Sequence, residues 1–231
     1  MKYYALKYSS DTKEIGRKFP QSIKFMTRMG SIQEDTIGDF GPIDNKSFIV
    51  PDLEVSKTAK VTSLISSAGI VGSKFLVIDK DLLGTFQEFN LGSYQVWPID
   101  VWWKGNKLED YFLFHLSYPS NDEWIDFSKT EFEMKEIGSN EFLGVKVFKD
   151  FHDFKHTLLS NFEGKRAIPY TKEIYLKPTN TKSDMVRLSL WFSGLMGYFI
   201  SERLKEELEY RNHSGMNFVP LEQSNNRIRL I

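Results

Sequence analysis

The chain of 231 residues contains no cysteine. That excludes disulfides, thiol nucleophiles and cysteine metal ligands together. Neither sign of charge is in excess, since Lys plus Arg is 30 and Asp plus Glu is 31, for a net charge of −1. A protein that neutralises nucleic-acid phosphates normally carries a basic surplus, so no nucleic-acid partner is expected. Long hydrophobic runs are lacking too. The longest nearly apolar stretch runs from Leu190 to Ile200, well short of the roughly 20 residues that span a bilayer, so no membrane partner is expected. The apolar opening at Tyr3–Leu6 is cut by Lys7, Ser9, Ser10 and Asp11. A secretory signal needs about 7–15 unbroken apolar residues there, so the expected compartment is the cytoplasm. Low-complexity linkers are missing as well, and residues 1–231 read as a single α+β domain.

What the chain does have is aromatic residues, 15% of the total, with 19 Phe and 10 Tyr. Lys2–Tyr8 reads as an opening strand. Lys74–Ile78 is an apolar strand-like run, and Asp79 follows as a helix N-cap whose carboxylate accepts free backbone N–H groups. Leu82, Leu83, Phe86 and Phe89 then recur at helical spacing, Asn90 and Gly92 stop the helix, and Tyr94–Trp97 runs extended into Pro98. The same order returns 122 residues later. Gly197–Ile200 is a strand, Ser201 the cap, Leu204 and Leu208 the apolar stripe, Asn212 and Gly215 the stop, and Met216–Val219 runs into Pro220. This predicts an internal strand–helix–strand repeat, with units near 72–99 and 194–221 as candidate lobes. Between the units the pattern is mostly extended, in a mixed or antiparallel sheet. Tyr111–Leu116, Trp124–Phe127, Phe132–Ile137, Leu143–Val147 and Glu173–Leu176 read as strands, and one helix over 151–162 carries Phe151, Phe154, Leu158 and Phe162 on one side.

Catalytic motifs do not assemble. Gly69–Lys74 has glycines and a lysine but precedes a strand, whereas a phosphate cradle follows a strand and opens a helix. His152 and His156 share a helical face at a spacing that can ligate zinc, yet the general-base Glu and a third ligand at fixed distance are both missing. His115 sits in an apolar strand as a core histidine, and His213 lies in a helix-ending turn, where a cation suits the dipole. Neither a metal site nor a cofactor is expected. Seven acids between Asp122 and Glu141 face only Lys129 and Lys135, which reads either as the wet side of a sheet or as an acidic patch for a basic partner. Trp102 and Trp103 are adjacent in an extended segment and so project to opposite faces. With Asp122, Glu123, Trp124 and Asp126 they form the candidate partner-binding set, because Trp anchors protein interfaces.

Two strings carry a family likeness. Tyr198–Leu208, followed by Gly215–Pro220, and Tyr111–Phe114 with Ile125–Ser128 resemble the bacterial immunity protein 11 family (domain of unknown function 1629) and the similar immunity protein 43 family. The resemblance spans roughly residues 72 to 221. The family's usual Thr-Gly after the helix is Ser214-Gly215 here. What the resemblance implies is a non-catalytic cytoplasmic protein of a polymorphic-toxin or bacterial competition system that binds and neutralises a cognate toxin. The alternatives are a hydrolytic enzyme using carboxylates or His152 and His156, and a small-molecule-binding accessory module.

Overall fold

The structure, a computed structural model, describes residues 2–25, 42–43, 48, 50–67, 75–117, 121–159, 161–177, 183–190 and 195–231. The predicted turn at Gly69–Lys74 lies outside these residues. The fold is a compact mixed α+β arrangement of short helices and several small sheets, as the sequence predicts.

The first half contains β1 (Tyr3–Tyr8), α1 (Thr12–Ile15), β2 (Ser22–Phe25), β3 (Leu53–Val55), β4 (Leu64–Ile65), β5 (Leu76–Asp79), α2 (Lys80–Gln87), β6 (Tyr94–Pro98), β7 (Val101–Trp103) and β8 (Asn106–Leu108). The second half opens with β9 (Tyr111–Leu116), α3 (Asn121–Trp124), β10 (Glu131–Glu136), β11 (Phe142–Val147), α4 (Phe151–Leu159), β12 (Asn161–Phe162) and β13 (Lys165–Tyr170). It continues through β14 (Ile174–Leu176), β15 (Met185–Leu190), β16 (Leu195–Ser201), α5 (Glu202–Tyr210), β17 (Met216–Pro220), α6 (Leu221–Ser224) and β18 (Ile228–Leu230).

The two strand–helix–strand units form as expected, and their caps act in the same way. Asp79 Oδ1 accepts from Leu82 N at 2.8 Å and Ser201 Oγ from Leu204 N at 3.2 Å, each satisfying a free donor of the first turn. Leu82 and Phe86 of α2 and Leu204 and Leu208 of α5 have no exposed surface, and they share one core with Ile78, Phe114 and Ile200. The likeness extends well past the predicted units. Each half builds an antiparallel sheet in the same order, β4-β5-β9-β6 and β15-β16-β1-β17, and a parallel pair, β3–β7 and β14–β18.

The middle strands are exchanged. β9, which opens the second half, fills the sheet of the first, and β1, which opens the first, fills the sheet of the second. Backbone hydrogen bonds repeat in register across this exchange. Lys80 N donates to Asp110 O as Glu202 N does to Lys2 O, and Ser117 N donates to Ser93 O as Ser9 N does to Gly215 O. Behind each middle strand, a one-turn helix returns to its own half. Arg17 N–Thr58 O and Lys60 N–Ile15 O are matched by Asp126 N–Tyr175 O and Lys177 N–Trp124 O. Gly215 is one position where the packing admits only glycine. Its φ is +89°, and a Cβ there would meet Leu64 O at 2.0 Å.

Two expectations are corrected. Trp124–Phe127 is not a strand. Asn121–Trp124 makes a helical turn, closed by Ile125 N to Asn121 O, and Ile125 forms only an isolated bridge to Leu176. The predicted 151–162 helix ends at Leu159, and Phe162 pairs with Lys165 in a short hairpin.

Asp184 ties the halves together at their helices. Its side chain is 1% exposed. Its carboxylate accepts from Asn90 N at 3.1 Å, from Ser201 Oγ at 2.8 Å and from both Arg203 Nε and Nη2. Burial alone would raise its pKa, but Arg203 and Ser201 outweigh that and hold it below the ordinary carboxylate value. A depressed carboxylate stabilises the fold above its unfolded pKa, and that contribution is lost as pH falls through the folded value. Asp184→Asn is therefore expected to lower stability by about 2 kcal/mol at pH 7. The deficit relative to wild type should shrink below about pH 4, the unfolded carboxylate value. Urea unfolding of both proteins across a pH series checks this.

Candidate functional site: an exposed sheet edge on the second half

The structure does not bring the predicted partner-binding residues together as one surface. Trp124 has no exposed surface and packs edge-on to Tyr3 with ring centroids 4.5 Å apart, so it is a core residue and not an exposed anchor. The segment expected as the strand Trp124–Phe127 begins at the end of a helical turn, which points Trp124 inward. Trp102 and Trp103 are half-buried in β7, in the four-stranded sheet β2-β3-β7-β8 of the first half. Trp103 Nε1 donates to Ala59 O at 3.2 Å, and Lys104 Nζ lies 4.0 Å from its ring centroid.

The acids of the set serve local structure. Asp122 Oδ1 accepts from Phe151 N at 2.7 Å, satisfying a first-turn donor of α4. Asp126 Oδ1 accepts from Ser128 Oγ at 2.5 Å and Ser128 N at 3.2 Å. The Ser128 hydroxyl, helped by Lys129, holds the Asp126 carboxyl below its ordinary pKa. Glu123 is exposed.

Nor is the acidic run an unmatched patch. Lysines from elsewhere in the sequence fold onto it. Lys172 Nζ is 2.7 Å from Glu133, while Lys165 Nζ is 2.9 Å from Glu141 and 3.6 Å from Glu136. The hydrogen bond from Lys172 lowers the Glu133 pKa, and Ser139 with Lys165 lowers that of Glu136. Exposed pairs like these contribute little stability, yet they reduce the field that would steer a basic partner.

The histidines scatter. His152 and His156 are exposed on α4, and no group of three His, Asp or Glu side chains that could hold a metal occurs among the described residues. His115 is buried, and Arg187 Nη1 lies 3.1 Å from its Nδ1. An arginine only donates, so Nδ1 accepts and the ring proton sits on Nε2. His213 differs from the cation expected at a helix end. Burial lowers its pKa, and its Nε2 is 2.8 Å from Thr85 Oγ1. The cleft of about 480 Å³ beside α3 is lined by Asp122, Asp126, Lys149, Asp150, His152 and Lys177 among others. Ser128 lines it too, and its hydroxyl is the one held by Asp126 Oδ1.

One surface stands out that the sequence pattern did not single out. Between its bridge at Ile125 and β14, the second half carries the sheet β11-β10-β13-β12 with α4 against it. Among the described residues of the first half, the same interval holds only β2. The inner face of this sheet is a small aromatic core. Phe132 meets Phe148 at 4.8 Å and Phe148 meets Phe154 at 5.2 Å. The outer side is unusual. On edge strand β11, Phe142 is 55% exposed, Val145 54% and Val147 49%, and Ile137 in the turn is 49% exposed. A single exposed apolar residue needs no explanation, whereas four along one edge mark an interaction surface. Alternation at Leu143, Val145 and Val147 was legible as a half-buried strand, but which side stays wet depends on α4 and β13 covering the other.

Trp124→Ala is expected to destabilise the protein by about 4 kcal/mol, the usual cost of emptying a large aromatic site. Asp122→Ala should cost about 1 kcal/mol through the lost hydrogen bond to Phe151 N. Denaturant midpoints of the two variants check both figures. No protein-family model matches the chain, and no curated protein matches it.

Proposed function

We propose that this protein is an immunity protein. It binds a cognate bacterial toxin in the cytoplasm and neutralises it as a stoichiometric partner, without chemistry of its own. The observation that carries this reading is the apolar edge at Phe142, Val145 and Val147, on the sheet β11-β10-β13-β12 of the second half. Exposed valines and phenylalanine in a strand are costly in water and become favourable when a protein partner covers them, by about 25 cal/mol per Å² of apolar surface buried. The likeness of Tyr198–Leu208 and Gly215–Pro220 to the immunity protein 11 and 43 families points the same way.

The surface also modifies the expected recognition chemistry. With Glu133, Glu136 and Glu141 matched by Lys172 and Lys165, affinity comes from apolar contact more than from long-range attraction to a basic cleft. The test starts with the neighbouring genes, which should encode a toxin domain, and co-expresses that domain with this protein; a neighbourhood encoding none would count against the immunity reading. Cells should survive the toxin, the two proteins should co-purify at one to one, and Val145→Lys with Val147→Lys should abolish both effects in a folded protein. Toxicity undiminished by the wild-type protein would refute the immunity reading.

A further inference from the structure

The backbone around β11 shows how a partner would be held. In an antiparallel sheet, successive residues of an inner strand bond alternately to one neighbour and the other. Ile137 N donates to Arg166 O, and Glu136 N donates to Glu141 O. Counting back along β10, the groups of Lys135 and Glu133 face β13, and those of Met134 and Phe132 face β11. Pro169 supports this assignment. It lies opposite Met134, a position where no ladder N–H is needed, so its missing donor leaves no gap.

It follows that Gly144 and Lys146, opposite Met134 and Phe132, use their backbone groups on β10. The N–H and C=O groups of Val145 and Val147 then point away from the sheet. Among the described residues, β11 pairs only with β10. The same two residues also expose their side chains, on the face they share with Glu133 and Glu131. An edge with outward backbone groups and apolar side chains, without proline, is a template for another strand. Its one charge, Lys146, is held on the opposite face by Asp153 and Thr157 of α4, and its bulge lies before Gly144, clear of Val145 and Val147.

Charge specifies what kind of strand. Beside Val145 lies a groove of about 610 Å³, lined by Lys129, Glu131, Glu133, Lys172, Glu173 and Tyr175. Lys172 is matched by Glu133, Glu173 by Arg229 and Lys129 by Asp126, at distances from 2.7 to 3.9 Å. Glu131 is exposed, has no ion pair among the described residues and stands directly across from Val147. A side chain reaching over Val147 into this groove meets one spare carboxylate.

We infer that the partner docks by adding an extended segment to β11, with apolar residues against Val145 and Val147 and a lysine or arginine reaching Glu131. This rests on the toxin-binding reading and names its mode of recognition. Main-chain hydrogen bonds supply affinity in such additions, and alternate side chains supply specificity.

The test is residue-resolved amide exchange of the protein alone and with the toxin domain that the co-expression test above identifies. Alone, the amides of Val145 and Val147 should exchange fast and those of Gly144 and Lys146 slowly. In the complex, Val145 and Val147 should become protected. Val147→Pro removes an outward N–H while sparing the β10 ladder, and should weaken binding by about tenfold, the worth of roughly one hydrogen bond. Val147→Thr keeps the N–H and the shape, and should bind within about threefold of wild type, the small cost of one lost methyl contact. Glu131→Lys should weaken binding at low salt, with the loss shrinking as salt rises.

Toxin-dependent protection elsewhere, with Val145 and Val147 still exchanging fast, would overturn strand addition and leave the immunity reading standing. So would Val147→Pro binding as tightly as wild type. Protection of both amides in the free protein together with a dimer in solution would assign the edge to a second copy and overturn the inference. A toxin that forms no complex at all would overturn both readings.

Discussion

The constraint on which the rest of the structure depends is the exchange of β1 and β9. Without β1, β16 and β17 have no common neighbour, and without β9, β5 and β6 have none. Each sheet would be left as a two-stranded pair and a detached strand, with open edges, and such fragments are marginal on their own. Each half therefore completes the other. The shared apolar core, in which Ile78, Leu82 and Phe114 meet Leu6, Ile200 and Leu204, is the side-chain expression of that same exchange. Polar groups reinforce it at both ends. Asp184 joins Asn90 to Ser201 and Arg203, while buried Arg187 of the second half's sheet reaches His115 of the first half's sheet.

Much of the scaffold was legible because it is local. Asp79 and Ser201 announce their helices through their own neighbours, and the run of elements up to Pro98 and Pro220 recurs at a constant spacing. The exchange was not legible. β1 and β9 stand 108 residues apart, not 122, and a strand's identity carries no record of which sheet it enters. Trp124 was misplaced for a related reason. The apolar run Trp124–Phe127 has a strand's content, but Trp124 closes the preceding turn Asn121–Trp124, fixed by the hydrogen bond from Ile125 N to Asn121 O.

The candidate surface divides along the same line. The charge of 122–141 is a sequence property, but its neutralisation by Lys165 and Lys172 belongs to the fold, as β13 lies beside β10. What remains beside that paired stretch is the apolar edge of β11 with the carboxylate of Glu131 across from Val147. A repeated scaffold stabilised by its own exchange is free to carry a sheet whose outer edge does little for stability. That division lets a surface be apolar for a partner's sake while the core beneath it stays packed through Phe132, Phe148 and Phe154.

The exchange predicts that the first ten residues are indispensable to a sheet built some two hundred residues later in the chain. The most direct measurement is unfolding of a chain lacking residues 1–10, alone and with that decapeptide added back. The truncated chain should lose its cooperative transition, with fast amide exchange across 195–220 as well as at its own start, and the peptide should restore both. A truncated chain that unfolds cooperatively at the wild-type midpoint, with 195–220 still protected, would contradict the account.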